Sequence, residues 1–157
     1  MRTFLIVISN LFFICSVAFS QSEDKLSAEA EKYLNYNKFQ LALPIYLKLN
    51  ELYTDNPNYN FNVGYCYLNS PTEKRKAIPY FERAIKDTSS TSDVFPFVYY
   101  YLAQSYHFAN RFDDAIKMYE KFKSYLSTYD DGIETRNEVT QKINQCNAGK
   151  LLLATIQ

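Results

Sequence analysis

The sequence has few of the residues on which catalysis and cofactor binding depend. It contains three glycines, one histidine and no tryptophan. A phosphate-cradling loop needs several closely spaced glycines, and a general acid or a metal site needs partners beside the histidine. No His, Cys or carboxylate cluster flanks His107. We therefore predict a protein that is not an enzyme, with no catalytic residue, no metal site, no cofactor and no small-molecule substrate.

The sequence also lacks net charge. Its 17 Lys and Arg residues balance 17 Asp and Glu residues, so no electrostatic field draws the chain to nucleic acid or to a membrane surface. The one basic run, Lys74-Arg75-Lys76, follows Glu73 near the start of a predicted helix. We interpret this run as a solvated helical face and exclude nucleic acid as a partner.

One short pattern occurs three times. It reads Ala-Leu-Pro-Ile-Tyr at 42–46, Ala-Ile-Pro-Tyr-Phe at 77–81 and Ala-Ile-Lys-Met-Tyr at 115–119, at spacings of 35 and then 38 residues. Such spacings are typical of helix-hairpin solenoids, whose units bury their apolar faces only by stacking on one another. We therefore predict an all-α fold, a right-handed α-solenoid of about three hairpins followed by a capping helix.

The residues of each unit resemble the tetratricopeptide repeat (TPR) family over residues 24–127. In that family a small residue and an aromatic lie in the first helix of the hairpin, and Ala and an aromatic lie in the second. The first helices here carry Ala30 with Tyr33, Gly64 with Tyr67, and Ala103 with Tyr106. The second helices carry Phe39, Ala42 and Tyr46, then Ala77, Phe81 and Ala84, then Phe112, Ala115 and Tyr119. The small residues let helix axes approach closely, and we predict that Gly64 and Ala103 are packing residues.

The second repeat has an extra residue in its turn. Ser70-Pro71-Thr72-Glu73 reads as a capping box with Pro at the first helical position, which predicts that the next helix begins at about Pro71. Pro44 and Pro79 fall near the starts of their second helices, where we expect mild bends at most.

The first twenty residues read as a secretory signal peptide. Arg2 gives a positive start, Phe4 to Phe19 are almost wholly apolar, and Ala18-Phe19-Ser20 precedes Gln21 as a cleavage site. A retained membrane anchor and lipidation of Cys15 are the weaker alternatives, because the apolar run is short for a span and Ile14, not a small residue, precedes the cysteine. We predict a periplasmic or secreted protein, associated with the outer membrane through partners and without a direct membrane span after cleavage.

We divide the chain into a signal peptide at 1–20, the repeat solenoid at 21–130, and a capping helix with a C-terminal tail at 131–157. Asp130-Asp131-Gly132 predicts a turn, and Val139, Ile143 and Cys146 at helical spacing predict the cap. The signal, the repeats and the stretch 139–152 resemble the N-terminal part of Bacteroidota-type envelope proteins that carry TPRs, a β-propeller and an OmpA-like domain. Some relatives of that architecture take part in type IX secretion.

Repeat solenoids present the first helix of each hairpin along a concave groove. The residues offset from the packing face form the predicted partner-binding groove: Phe61, Tyr65, Phe97, Tyr100, Gln104, His107 and Phe108. Aromatic side chains favour docking of a protein or peptide segment, although many of the aromatics must simply be core. Related co-chaperone repeats clamp a C-terminal carboxylate with Lys, Arg and Asn, but the corresponding places here hold Ser27, Glu31, Tyr100 and Gln104, which argues against that ligand.

Cys66 and Cys146 are the cysteines that remain after removal of the signal peptide. They lie on the second hairpin and on the terminal helix, and a solenoid unit contacts only its neighbours. We predict two buried free thiols, with a disulfide as the alternative.

These observations predict a non-enzymatic periplasmic scaffold or adaptor that binds a protein or peptide partner in the cell envelope. The alternative is the N-terminal structural module of a truncated TPR, β-propeller and OmpA-like protein of the outer membrane.

Overall fold

Helices make up the fold throughout the residues that the computed structural model describes, which are 23–86, 96–126 and 130–156. They are α1 (23–35), α2 (Phe39–Leu52), α3 (Pro57–Leu68), a 3₁₀ helix (Lys74–Ala77), α4 (Ile78–Ala84), α5 (Phe97–Phe108), α6 (Phe112–Lys123) and α7 (Asp130–Ile156). Consecutive helices pack on one another from α2 to α7. The fold is therefore the predicted all-α solenoid of three hairpins, α1–α2, α3–α4 and α5–α6, with α7 covering the last.

The small residues of the repeat lie where the helices approach most closely. Ala30 and Ala103 are fully buried. A Cβ atom at Gly64 would lie 2.9 Å from two atoms of the Phe81 ring, closer than real side chains pack. The prediction that Gly64 and Ala103 are packing residues is confirmed.

The core consists of two clusters of buried side chains. One cluster joins the first hairpin to α3, and the other runs from the end of α3 to α7. Tyr67 packs against both clusters. Cys66 belongs to the first cluster and Cys146 to the second, and both thiols are free and buried, as predicted.

The first and third hairpin turns share one backbone geometry. Asn37 and Asn110, each seven residues after the small residue of the preceding helix, have φ angles of 54° and 59°. Asparagine tolerates this left-handed conformation better than most residues. In both turns the residue after the asparagine donates its backbone N–H to a carbonyl oxygen of the preceding helix. Lys38 donates to Tyr33, and Arg111 donates to Tyr106.

The second turn cannot close in this way, because Pro71 occupies the equivalent position and its ring fixes φ near −65°. The prediction that a helix begins at about Pro71 is wrong. The chain turns through residues 70–72, and the 3₁₀ helix starts only at Lys74. The Glu73 side chain makes no cap hydrogen bond and instead pairs with Lys76.

The two prolines in the repeated pattern do not interrupt their helices. Pro44 lies inside α2, which continues to Leu52, and Pro79 lies in the first turn of α4. The mild bends expected at these positions stay a prediction.

The turn predicted at Asp130-Asp131-Gly132 is wrong, because α7 is helical from Asp130 to Ile156. The predicted cap residues Val139, Ile143 and Cys146 are buried against the last hairpin.

Candidate functional site

Four aromatic rings from the first helices of the second and third hairpins form one contact network. Phe61 and Tyr65 of α3 stack with their centroids 6.0 Å apart, and Tyr101 of α5 meets them edge-on at 5.6 and 5.1 Å. Tyr100 contacts Tyr101 at 5.4 Å. We call these four residues the aromatic cluster. All four are half-buried, so each ring is both packed and partly accessible.

Helical spacing brings these rings together. Phe61 and Tyr65 are four residues apart and therefore lie on one face of α3. Phe81 of α4 lies behind them and contacts Phe61 at 5.6 Å and Tyr101 at 6.3 Å. Phe81 is fully buried, so the cluster is supported by the core on one side.

Tyr100 also connects α5 to the capping helix. Its hydroxyl donates a 2.8 Å hydrogen bond to Oε1 of Glu138 in α7. Burial and this bond raise the pKa of Tyr100 to about 12, although the interaction with Gln104 acts in the opposite direction. Gln104, a predicted groove residue, therefore lies beside Tyr100 and Glu138 at one end of the aromatic cluster.

The other predicted groove residues contact rings outside the cluster. Phe97 is 53% exposed and its ring contacts Phe122 of α6 at 5.9 Å. His107 stacks with Phe108 at 6.5 Å and meets Phe112 edge-on at 5.6 Å. The structure thus brings together Phe61, Tyr65, Tyr100 and Gln104. Phe97 is linked to the cluster through Phe122, whose ring also contacts Tyr100 at 5.3 Å, and His107 and Phe108 pack at the C-terminal end of α5.

The surroundings of His107 favour its neutral form. Burial, and secondarily the ammonium group of Lys142, lower the pKa of this imidazole. Among the residues that the structure describes, no group of three His, Cys, Asp or Glu side chains is placed to hold a metal ion.

The basic run lies at the hairpin turns and not among the aromatic cluster. Lys74 donates a 2.8 Å hydrogen bond to the carbonyl oxygen of Leu68, and its Nζ lies 5.0 Å from the centre of the Phe108 ring. Lys76 pairs with Glu73. Together with Pro71, Thr72 and Arg75, these side chains line an open cavity of about 600 Å³.

A second open cavity, of about 740 Å³, separates the first and second hairpin turns. Its walls come from residues 37–41, 43 and 69–73, and Cys66 also lines it. Burial raises the pKa of the Cys66 thiol to about 12, which keeps it protonated and unreactive at neutral pH.

The predicted signal peptide and Cys15 lie outside the described residues. Within 23–86, 96–126 and 130–156, none of the helices combines the length and the apolar character needed to cross a membrane.

No protein-family model matches this sequence, and no curated protein matches it significantly. Solved structures do resemble it. The type III secretion translocator chaperone SycD of Yersinia enterocolitica has a TM-score of 0.66 and 13% identity, over 83% of this chain and 87% of SycD. PcrH, solved with the chaperone binding region of PopD, has a TM-score of 0.65 and 13% identity, over 83% of this chain and 95% of PcrH.

The TPR2B domain of yeast Sti1, solved in a pHsp70 complex, has a TM-score of 0.63 and 14% identity over 80% of this chain and 96% of that one. At these identities the likeness concerns the fold. The chain has the fold of TPR-like helical repeat proteins.

Proposed function

We propose that the chain is a non-enzymatic scaffold or adaptor of the cell envelope. It binds a protein or peptide segment along the first helices of its hairpins, α1, α3 and α5, which we call the inner helices. The observation that carries this proposal is the aromatic cluster. Its four large rings contact one another and are only half-buried, so part of each ring is accessible to a partner. Tyrosine and phenylalanine provide large contact areas at low entropic cost, and such anchors dominate the energy of protein interfaces.

The structural neighbours support this proposal. PcrH was solved with the chaperone binding region of PopD, and the TPR2B domain of Sti1 in a pHsp70 complex. Both are protein-binding modules of the same fold. A repeat scaffold with a partner segment on its inner helices accounts for this chain without any catalytic group.

The proposed location, periplasmic or secreted, rests on the signal peptide pattern of residues 1–20. Mass spectrometry of the envelope fraction should find a mature chain that begins at Gln21. An intact Met1 would mean that the segment is retained, and an acylated Cys15 would identify a lipoprotein.

The binding proposal is tested by comparing two surfaces. Tyr65→Ala with Tyr101→Ala removes two rings of the aromatic cluster, and replacing Lys74, Arg75 and Lys76 with Gln removes the basic run. Loss of one anchor commonly costs about 2 kcal/mol or more, about 30-fold in affinity, whereas loss of rim charges changes mainly rate and salt dependence. We expect the first variant to lose envelope partners captured by the wild type and the second to keep them.

Circular dichroism must show that both variants remain helical. Retention of the partners by the aromatic variant and their loss by the basic-run variant would place the binding surface at the hairpin turns.

A second candidate is the structural module of a longer envelope protein, with a β-propeller and an OmpA-like domain. The observation that favours it is the apolar end of α7, where Leu151, Leu152 and Ile156 are 71%, 64% and 74% exposed. Exposed apolar surface of this kind is normally covered by another surface. Sequencing past codon 157 decides this point, because a propeller would appear as short strands at intervals of about 8 to 12 residues.

A further inference from the structure

We propose that the segment bound along the inner helices combines apolar side chains with lysine or arginine, and that the carboxylates of Glu31 and Glu138 select it. This inference rests on the proposed function and specifies the chemistry of the partner.

The two inner helices that carry the aromatic cluster, α3 and α5, have no acidic or basic side chain apart from one histidine. Neither α3 nor α5 contains a Lys, Arg, Asp or Glu residue. The only titratable cation on these two helices is His107, whose pKa is lowered. An apolar segment can therefore lie across the aromatic cluster without placing its side chains against a fixed charge.

Glu138 marks one end of this surface. One of its carboxylate oxygens accepts the Tyr100 hydroxyl at 2.8 Å, and the side chain is exposed. In the described part of the chain no Lys or Arg forms an ion pair with Glu138. Lys142, one turn further along α7, acts on His107 instead. Glu138 thus offers a charged acceptor beside an aromatic ring.

Glu31 marks the other end. It follows Ala30 directly in α1, as Tyr65 follows Gly64 in α3, so the two side chains occupy equivalent positions of successive repeats. Glu31 is exposed, and the described residues supply it with no ion pair. Along the solenoid the order is therefore a carboxylate on α1, the aromatic cluster on α3 and α5, and a second carboxylate on α7.

Among the described residues, no cation of the chain stacks on a ring of the aromatic cluster. Six cation–π pairs occur among the described residues, and their rings are Tyr36, Tyr67, Tyr80, Tyr106, Phe108 and Tyr125. None of these rings belongs to the cluster. A Lys or Arg from a partner can stack on its tyrosines and pair with Glu138. An acidic segment would meet the carboxylates of Glu31 and Glu138, and neither α3 nor α5 offers it a Lys or Arg.

The test is selection of random displayed peptides on the immobilised full chain, with three comparison proteins. Tyr65→Ala with Tyr101→Ala removes the cluster. Glu31→Gln with Glu138→Gln removes both charges while keeping an acceptor for the Tyr100 hydroxyl. Glu120→Gln, at an exposed position of α6, is the matched control for loss of one carboxylate.

We expect the selected peptides to be apolar and enriched in Lys and Arg, and to lose binding to the tyrosine variant. Their synthetic versions should bind the double Gln variant more weakly, by about two- to fivefold for each exposed ion pair lost, and bind Glu120→Gln as tightly as the wild type. Added salt should weaken binding to the wild type more than to the double Gln variant.

Peptides that depend on the tyrosines but are acidic or uncharged would overturn this inference and leave the proposed function in place. Failure to select any peptide, or binding that is independent of the tyrosines, would overturn both.

Discussion

Two core tyrosines differ in the environment of their hydroxyl groups. The Tyr46 hydroxyl is buried and finds no hydrogen-bond partner among the described residues. The Tyr106 hydroxyl donates a 2.6 Å hydrogen bond to Oε1 of Glu82, which links α5 to α4. A buried polar group without a partner costs about 1–3 kcal/mol, whereas a formed bond stabilises by about 1 kcal/mol. The same chemical change should therefore have opposite effects at the two positions.

We predict that Tyr46→Phe leaves the free energy of unfolding unchanged or raises it by about 1 kcal/mol, and that Tyr106→Phe lowers it by about 1 kcal/mol. Urea titration of both variants measures the two changes, and each serves as the control for the other. A larger loss for Tyr46→Phe than for Tyr106→Phe would show that the Tyr46 hydroxyl has a partner in solution.

A residue larger than glycine at position 64 should destabilise the fold. A Cβ atom there would lie 2.9 Å from Cδ1 and Cε1 of Phe81, a fully buried ring. Overpacking of this kind costs about 1–3 kcal/mol. We predict a clearly lower thermal midpoint for Gly64→Leu and little change for Ala28→Leu, at an exposed position of α1. Equal midpoints for the two variants would mean that α3 can shift away from α4.

The sequence predicted three members of the aromatic cluster but not the fourth. Phe61, Tyr65 and Tyr100 follow from the repeat register, because they lie beside the packing face of their helices. Tyr101 was missed because the run from Phe97 to Tyr101 has no polar residue to mark where that face ends. Only the positions of α3 and α4 show that its ring meets Phe61, Tyr65 and Phe81.

At the scale of elements, the sequence predicted the hairpins well and their connections less well. Repeat spacing is set by helix packing, and the small and aromatic residues at the packing positions make it visible in the sequence. A turn depends instead on a few backbone angles. Pro71 favoured a helix start by local rules, but it also excludes the left-handed turn that Asn37 and Asn110 make, and the second effect decides the structure.

The length of α7 was the other element that the sequence did not predict. The sequence predicted a turn at Asp130-Asp131-Gly132 and a C-terminal tail after the capping helix, and Gly132 and Gly149 belong to these two stretches. Both lie inside one continuous helix. At Gly149 the reason is packing, because a Cβ atom there would lie 2.5 Å from Cζ of Phe112. The missing side chain lets α7 approach the start of α6, where Lys150 also pairs with Asp113.

We predict that Gly149→Ala destabilises the docking of α7, although alanine favours helix by about 1 kcal/mol over glycine. The added methyl group must displace the Phe112 ring, which is 9% exposed and contacts His107. Asn147→Ala, at an exposed position of the same helix, gains helix propensity without this clash and is the control. Amide hydrogen exchange in α7 should become faster for Gly149→Ala and not for Asn147→Ala. Slower exchange in Gly149→Ala would show that Phe112 moves at no cost.

At the scale of the whole molecule, the buried tyrosines make the stability of the fold depend on pH in the alkaline range. Burial is the first cause that raises the pKa of Tyr46, Tyr59, Tyr100, Tyr106 and Tyr119. Hydrogen bonds to Glu23, Glu138 and Glu82 add to this effect at Tyr59, Tyr100 and Tyr106. These tyrosines belong to all three hairpins, so their ionisation acts on the entire solenoid and not on one site.

We predict that the chain keeps its full stability up to about pH 10 and loses it steeply above that value. An unfolded tyrosine ionises near pH 10, whereas Tyr100 in the folded chain has a pKa of about 12. Between these values the unfolded state has lost protons that the folded state still holds, so rising pH favours unfolding. Urea titrations at a series of alkaline pH values measure the slope. The part of the tyrosinate absorbance that belongs to the buried tyrosines should appear only with the loss of helix.

Tyr100→Phe should make stability fall less steeply with pH, because it removes one hydroxyl whose pKa is raised in the folded chain. Tyr36→Phe should leave it unchanged, since the Tyr36 side chain is 67% exposed. Ionisation of all 15 tyrosines of the chain near pH 10 while the helices remain intact would contradict the prediction. It would mean that the tyrosine hydroxyls ionise in the folded chain, and that the contacts around them do not hold their protons.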